Sequence, residues 1–219
     1  MREIIYLHGL GSSPNSMKGR HIKAEVERRG CSCLLPDLNL PTFSALSPKL
    51  ILEHIVELIS RHAKPPISLI GSSLGGLLAI KLMQVLPIQH LKRIERLVLL
   101  APALDPWDEH SGLLTRERIQ QWKRDGEFPL FHHALGVNIP VHYSFAEELK
   151  EFDSYKAMID TPTLVIHGRS DEVVPYAQSE RMMPLLTHGE LHLVDDTHQL
   201  LNHPDKMVKQ IVDFCLEAS

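Results

Sequence analysis

The chain predicts an α/β fold built on a mostly parallel sheet of about six strands, with helices on both faces. Strand-like and helix-like runs alternate along all 219 residues, the order expected when crossover helices join parallel strands. The strand-like runs are continuously apolar, as in Leu97-Val98-Leu99-Leu100, which marks strands covered on both faces. One such run, Ile67 to Ile70, passes straight into Gly71-Ser72-Ser73-Leu74-Gly75 and then into the apolar stretch Leu77 to Leu86.

Each element has a local reason. Glu3 to Leu7 is a short β-branched run stopped by His8-Gly9. Residues 16–29 follow a helical pattern and end at Gly30, a good C-terminal stop. Cys31 to Leu35 reads as a strand closed by Pro36. Ser47 and Pro48 form an N-cap and a first helical position. Behind them Leu50, Ile51, His54, Ile55, Leu58 and Ile59 recur at helical spacing. Strand Ile67–Ile70 is followed by a helix over Leu74–Leu86, and Arg96–Ala101 is a nearly all-apolar strand. Thr163–His167 and Leu191–Val194 complete six strands, and Asp205–Leu216, with Pro204 ahead of it, is the closing helix.

One stretch breaks the rhythm. About sixty residues separate Ala101 from Thr163, far beyond an ordinary connection. They hold a helix over Thr115–Asp125, stopped by Gly126, and eight of the twelve aromatic residues. This predicts a small cap inserted at about 102–160 into a single domain spanning 1–219. The aromatics serve either a lid over the strand ends or the insertion's own core, and both can hold at once. Trp107, Trp122, Phe128 and Tyr143 are the candidate lining of a substrate pocket. The basic residues Arg116, Arg118, Lys123 and Arg124 make either a solvated face or a reader of an acidic substrate group. His132-His133 point apart and lack a suitably spaced acidic partner, so they read as surface or lid residues.

Composition narrows the function. A hydrophobic fraction of 43% and a charged fraction of 23% are ordinary for a soluble domain. A net charge of −4 offers no broad basic field to nucleic acid or anionic lipid. No apolar run approaches the roughly 18–20 residues of a membrane span. The first residues turn polar too quickly for a signal peptide, so a cytoplasmic location is expected. The three cysteines, Cys31, Cys33 and Cys215, read as plain thiols. They lack the paired spacing of a zinc site, and neither metal nor cofactor is expected.

The turn around Ser73 carries the chemistry. A Gly-x-Ser-x-Gly sequence between strand and helix forms a tight elbow that holds the serine hydroxyl up at the end of the strand. Ser72 fits no such frame. A serine hydroxyl needs a base, and that base is usually a histidine oriented by a carboxylate. In open parallel sheets reactive groups gather at the carboxyl ends of strands. Asp171 lies just past Thr163–His167, and His198 lies just past Leu191–Val194. Asp105, after the strand ending at Ala101, is the rival acid. His203 reads as a helix-cap residue and His8 as a loop-holding one. Backbone N–H groups of Leu74 and Leu10 are the candidate oxyanion donors, with Gly9 and Gly11 letting the second loop turn inward.

These residues resemble an α/β-hydrolase of the small serine esterase type: His8-Gly9, the Gly71–Gly75 elbow, Gly168-x-x-Asp171-x-x-Val174-Pro175 and His198. The likeness covers nearly the whole chain. Tyr6-Leu7-His8-Gly9-Leu10-Gly11-Ser12-Ser13-Pro14 is similar to the YqiA-like esterases. The elbow Gly-Ser-Ser-Leu-Gly-Gly resembles both these and the mitochondrial acyl-protein thioesterase-like hydrolases. The resemblance implies a trimmed sheet, because two strands that usually precede the His-Gly strand are missing. It also implies hydrolysis of a carboxylic ester or thioester, the aromatic insertion favouring an apolar acyl group. A hydrolase-fold binding protein or receptor that has lost catalysis is the alternative from another class.

Overall fold

The computed structural model describes residues 2–61, 66–108 and 114–217. Residues 109–113, within the predicted insertion, lie outside it. In chain order, β1 (Glu3–Leu7), α1 (Met17–Arg28), β2 (Ser32–Leu34), α2 (Pro48–Arg61), β3 (Ile67–Ser72), α3 (Leu74–Val85), α4 (Ile88–Leu91) and β4 (Ile94–Leu100) form the first half. The segment that follows holds α5 (Arg116–Asp125), β5 (Glu127–His132), β6 (Val137–His142) and α6 (Ser144–Leu149). The chain then returns through β7 (Thr163–Gly168), α7 (Ala177–Met182), β8 (Gly189–Val194) and α8 (Pro204–Leu216). The six-stranded sheet has the order β2-β1-β3-β4-β7-β8, and every neighbouring pair is parallel.

The continuous apolar strands are explained by two cores, one on each face. Ile5, Leu7, Leu69, Leu97 and Leu99 point into one core with Ile51 and Ile55 of α2 and Leu77 of α3. Their chain neighbours Ile4, Tyr6, Ile70, Val98 and Leu100 point into the other, with Ile22 of α1 and Ile211 of α8. This is the period-two alternation of a strand with both faces covered. Trp122 and Phe145 belong to the first core, so the segment between β4 and β7 packs on the α2–α3 face.

That segment differs from the expected single helix. β5 and β6 form an antiparallel hairpin whose register pairs Phe128 with Val141 and Pro129 with Pro140. A hydrogen-bonded antiparallel pair exchanges two N–H groups, which two prolines lack, so Pro129 and Pro140 occupy a non-hydrogen-bonded site. The hairpin is tied to the body: the His133 N–H donates to the Gly11 carbonyl at 2.6 Å, and the His142 N–H to that of Ser44 at 2.9 Å. No helix among the described residues is long and apolar enough to cross a membrane.

Candidate active site

β3 delivers Ser73 to its place. The backbone there has φ 54° and ψ −117°, a conformation that costs a non-glycine residue roughly 1–3 kcal/mol. The flanking glycines make it sterically feasible. A Cβ on Gly71 would collide with the Gly75 carbonyl, and one on Gly75 with the carbonyl of Leu7. Among the described residues, the other non-glycines at positive φ are Ala101, which directly follows β4, and Leu200, two residues past His198. Strain thus collects at one end of the sheet.

Ser73, His198 and Asp171 meet there. Asp171 presents Oδ2 to His198 Nδ1 at 2.8 Å, and His198 Nε2 lies 3.0 Å from Ser73 Oγ. A carboxylate can only accept, so His198 Nδ1 carries the proton and Nε2 is free to accept from the serine hydroxyl. Each loop is fixed independently. Asp171 Oδ1 accepts the N–H groups of Val173 (2.9 Å) and Val174 (2.8 Å). Asp196 Oδ1 accepts the Thr197 N–H and its Oδ2 that of Asn202, both at 2.8 Å, stapling the loop that carries His198. The Ser170 N–H donates to the Asp196 carbonyl at 3.0 Å, joining the two loops.

The electrostatics favour an ionised acid. The Asp171 side chain has no exposed surface. Burial alone would raise its pKa, but hydrogen bonds from His167, His198 and the Val174 N–H outweigh burial. They hold its carboxyl well below the usual carboxylate range. On α1, burial pushes the Lys18 ammonium down to about 8 against the opposing pull of Asp171 and Asp196.

Above Ser73 lies the loop after β1. A Cβ on Gly9 would sit 3.2 Å from Ser73 Cβ, so this loop packs directly on the elbow. His8 is buried, accepts the Leu38 N–H at Nε2 (3.0 Å) and donates from Nδ1 to the Gly9 carbonyl (2.9 Å). Burial lowers its pKa, so it is a neutral brace for the loop. The N–H groups of Leu10 and Leu74 donate to no acceptor among the described residues. That of Leu74 also opens α3, where backbone donors and the helix dipole favour negative charge.

Residues 3–216 match a family described as Uncharacterised protein family (UPF0227). The chain belongs to this family. A 2-hydroxymuconate semialdehyde hydrolase from Pseudomonas sp. (strain CF600) is 22% identical over 195 residues, covering 76% of this chain and 68% of that protein. The solved structure of mouse alpha/beta hydrolase domain-containing protein 10 superposes with a TM-score of 0.75 at 22% identity, over 96% of this chain and 88% of its own. That of the esterase EaEST from Exiguobacterium antarcticum gives 0.78 at 18% identity, over 99% and 92%. The superpositions establish an α/β-hydrolase fold for this family member.

The remaining sequence-predicted residues divide. Trp122 is corrected: its ring has no exposed surface, its Nε1–H donates to the Val141 carbonyl at 2.7 Å, and it packs 5.9 Å from Phe128 and 6.3 Å from Tyr143 between centroids. It is core. Phe128 and Tyr143 pack against it, Tyr143 itself being buried. Trp107 lines a cavity of about 280 Å³ with Leu114, Arg116, Ile119 and Gln120. Arg116, Arg118, Lys123 and Arg124 are all exposed. Of the pair read as surface or lid residues, His133 is exposed, while His132 ends β5 and is buried edge-on against Phe43 at 4.7 Å, so the surface alternative does not hold for it. Asp105, the rival acid, is engaged elsewhere: it accepts the Trp107 N–H at 3.2 Å and faces Arg181 at 3.5 Å. Cys33 and Cys215 are buried free thiols pushed up to about 12 by burial. Sequence reasoning missed His167, which reaches Asp171 from β7. Its signal was an ionisable residue directly after Leu164-Val165-Ile166 in a fully buried strand.

Proposed function

We propose that the protein is a serine hydrolase that cleaves a carboxylic ester or thioester through an acyl-enzyme on Ser73. The observation that carries this reading is the continuous relay from Ser73 Oγ through His198 to Asp171, at 3.0 and 2.8 Å, on a strained elbow. Ser73 attacks the substrate carbonyl while His198 Nε2 takes its proton. The oxyanion that forms lies against the N–H groups of Leu10 and Leu74, which have no acceptor among the described residues. His198 then passes its proton to the leaving alcohol or thiol. In the second half it takes a proton from water, which attacks the acyl carbon and frees Ser73. Asp171 holds the imidazole in the productive tautomer and balances its charge throughout. No step needs a metal or cofactor.

Residues 102–160 act in this reading as a cap within one α/β-hydrolase domain. An apolar acyl group is the favoured substrate, in keeping with the likeness to small esterases and acyl-protein thioesterase-like hydrolases. The first test is hydrolysis of p-nitrophenyl acetate by the wild type and by Ser73→Ala. The variant should lose turnover, whereas wild-type rates would end the proposal. A panel of p-nitrophenyl esters and acyl thioesters of graded length then separates ester from thioester and reads the acyl preference.

A further inference from the structure

We infer that His167 is a positioning residue for the acid, and that Ser179 fixes its ring; the inference rests on the reading of Ser73, His198 and Asp171 as a triad. His167 is the penultimate residue of β7 and has no exposed surface. A buried imidazole is costly unless both nitrogens find partners, and here both do. Nε2 lies 3.0 Å from Asp171 Oδ2 and 3.0 Å from the Val174 carbonyl. Both partners are acceptors, so Nε2 carries the proton and is shared between them. Nδ1 faces Ser179 Oγ on α7 at 2.7 Å, where the hydroxyl donates to it.

The consequence is that every accepting direction of the buried carboxylate is filled. Oδ1 takes two backbone N–H groups, and Oδ2 takes one imidazole from each side. Without His167, Oδ2 would keep a single donor in a site closed to water. The carboxylate could then swing about Cβ–Cγ, and its charge would fall more fully on His198. The first effect lowers kcat through a misplaced base. The second favours protonated His198, and so moves the acid limb of the rate profile to higher pH. Among the described residues, the titratable groups acting on Asp171 are His167 from β7, His198 from the loop after β8 and Lys18 from α1, with Asp196 also acting on Lys18. A histidine that merely filled the core would have neither effect. His167→Gln separates the two roles, because a glutamine amide places an N–H donor near the position of Nε2, whereas His167→Phe keeps bulk and removes the donor.

The experiment measures kcat, KM and their pH dependence on p-nitrophenyl acetate for wild type, His167→Phe and His167→Gln, with Ser73→Ala as control. For the phenylalanine variant we expect kcat to fall about tenfold to a hundredfold at unchanged KM, and the acid limb of kcat/KM to rise by about half a unit to one unit. The glutamine variant should recover to within a few-fold of wild type with its limb restored. A folded phenylalanine variant with a wild-type limb overturns the inference, as does a glutamine variant as impaired and shifted as phenylalanine. Should the phenylalanine variant not fold, ¹⁵N-histidine NMR of the wild type decides: His167 protonated at Nε2 supports the inference, and an unprotonated Nε2 overturns it. An active Ser73→Ala would instead break the triad reading itself, so the two failures are distinguishable.

Discussion

The ends of β3, β7 and β8 and the segment between β4 and β7 hold their functional candidates by different means. At the strand ends, polar bonds dominate: Asp171 accepts four hydrogen bonds, and Asp196 staples the His198 loop at both carboxylate oxygens. In the inserted segment, aromatic packing dominates, with Trp122 surrounded by Phe128, Tyr143 and Phe145 at 5.9–6.3 Å. Directional bonds fix atoms to within a fraction of an ångström, which proton transfer requires. Packed aromatics supply stability and shape but place no single polar atom. The proposed chemistry therefore belongs to the strand ends, and the segment between β4 and β7 contributes a covered core face and the bond from His133 to the loop at Gly11.

The largest expected effect tests the polar side of this contrast. Asp171→Asn leaves the geometry nearly intact but removes the acceptor that selects the His198 tautomer. The variant should lose about 10⁴-fold in kcat on p-nitrophenyl acetate, and a loss under tenfold would contradict the role of Asp171. Next comes a crossed pair. Gly75→Ala drives a Cβ into the Leu7 carbonyl and should cost about 1–3 kcal/mol. By displacing Ser73 it should cost about a hundredfold in activity as well. Trp122→Ala should cost about 3–5 kcal/mol in urea denaturation, while the protein that remains folded keeps activity within about tenfold of wild type. If the two variants do not cross in this way, the division between regions is wrong.

Much of the contrast was legible in the residues. Uninterrupted apolar strands announced a sheet covered on both faces, and the alternation of Ile4 and Tyr6 against Ile5 and Leu7 between two cores is its direct expression. The elbow and the two loop residues after β7 and β8 could be placed because strand ends collect in space whatever the intervening sequence does. The hairpin was not legible. A proline inside a run argues against a paired strand, and only the register that sets Pro129 opposite Pro140 makes the two compatible with pairing. Trp122 showed its aromatic character in the sequence but not its direction, which depends on the Val141 carbonyl nineteen positions away. His167 was hidden for a related reason: a histidine after three apolar residues reads as core until the loop carrying Asp171 folds back over it.

Two smaller effects sharpen the picture. Asp171 has a depressed pKa in the folded state. Its ionisation therefore contributes stability above the unfolded value of about 3.9, and that contribution is lost as pH falls through the folded value. Urea denaturation from pH 7 to pH 3 should show wild-type stability falling more steeply below about pH 5 than that of Asp171→Asn. Parallel curves would contradict the carboxylate's favourable setting. The smallest effect concerns the exposed basic face of α5. Replacing Arg116, Arg118, Lys123 and Arg124 singly by alanine should change stability by no more than about 0.5 kcal/mol each, with KM for a neutral ester unchanged. A raised KM would make this face part of the site.

The central claim is that Ser73 is a nucleophile activated by His198. Reaction of the folded protein with a fluorophosphonate probe, followed by peptide mass spectrometry, tests it most directly. The account predicts a single adduct on Ser73 that disappears in Ser73→Ala and is strongly slowed in His198→Ala. An adduct on another residue, or no adduct on the folded wild type, would contradict it.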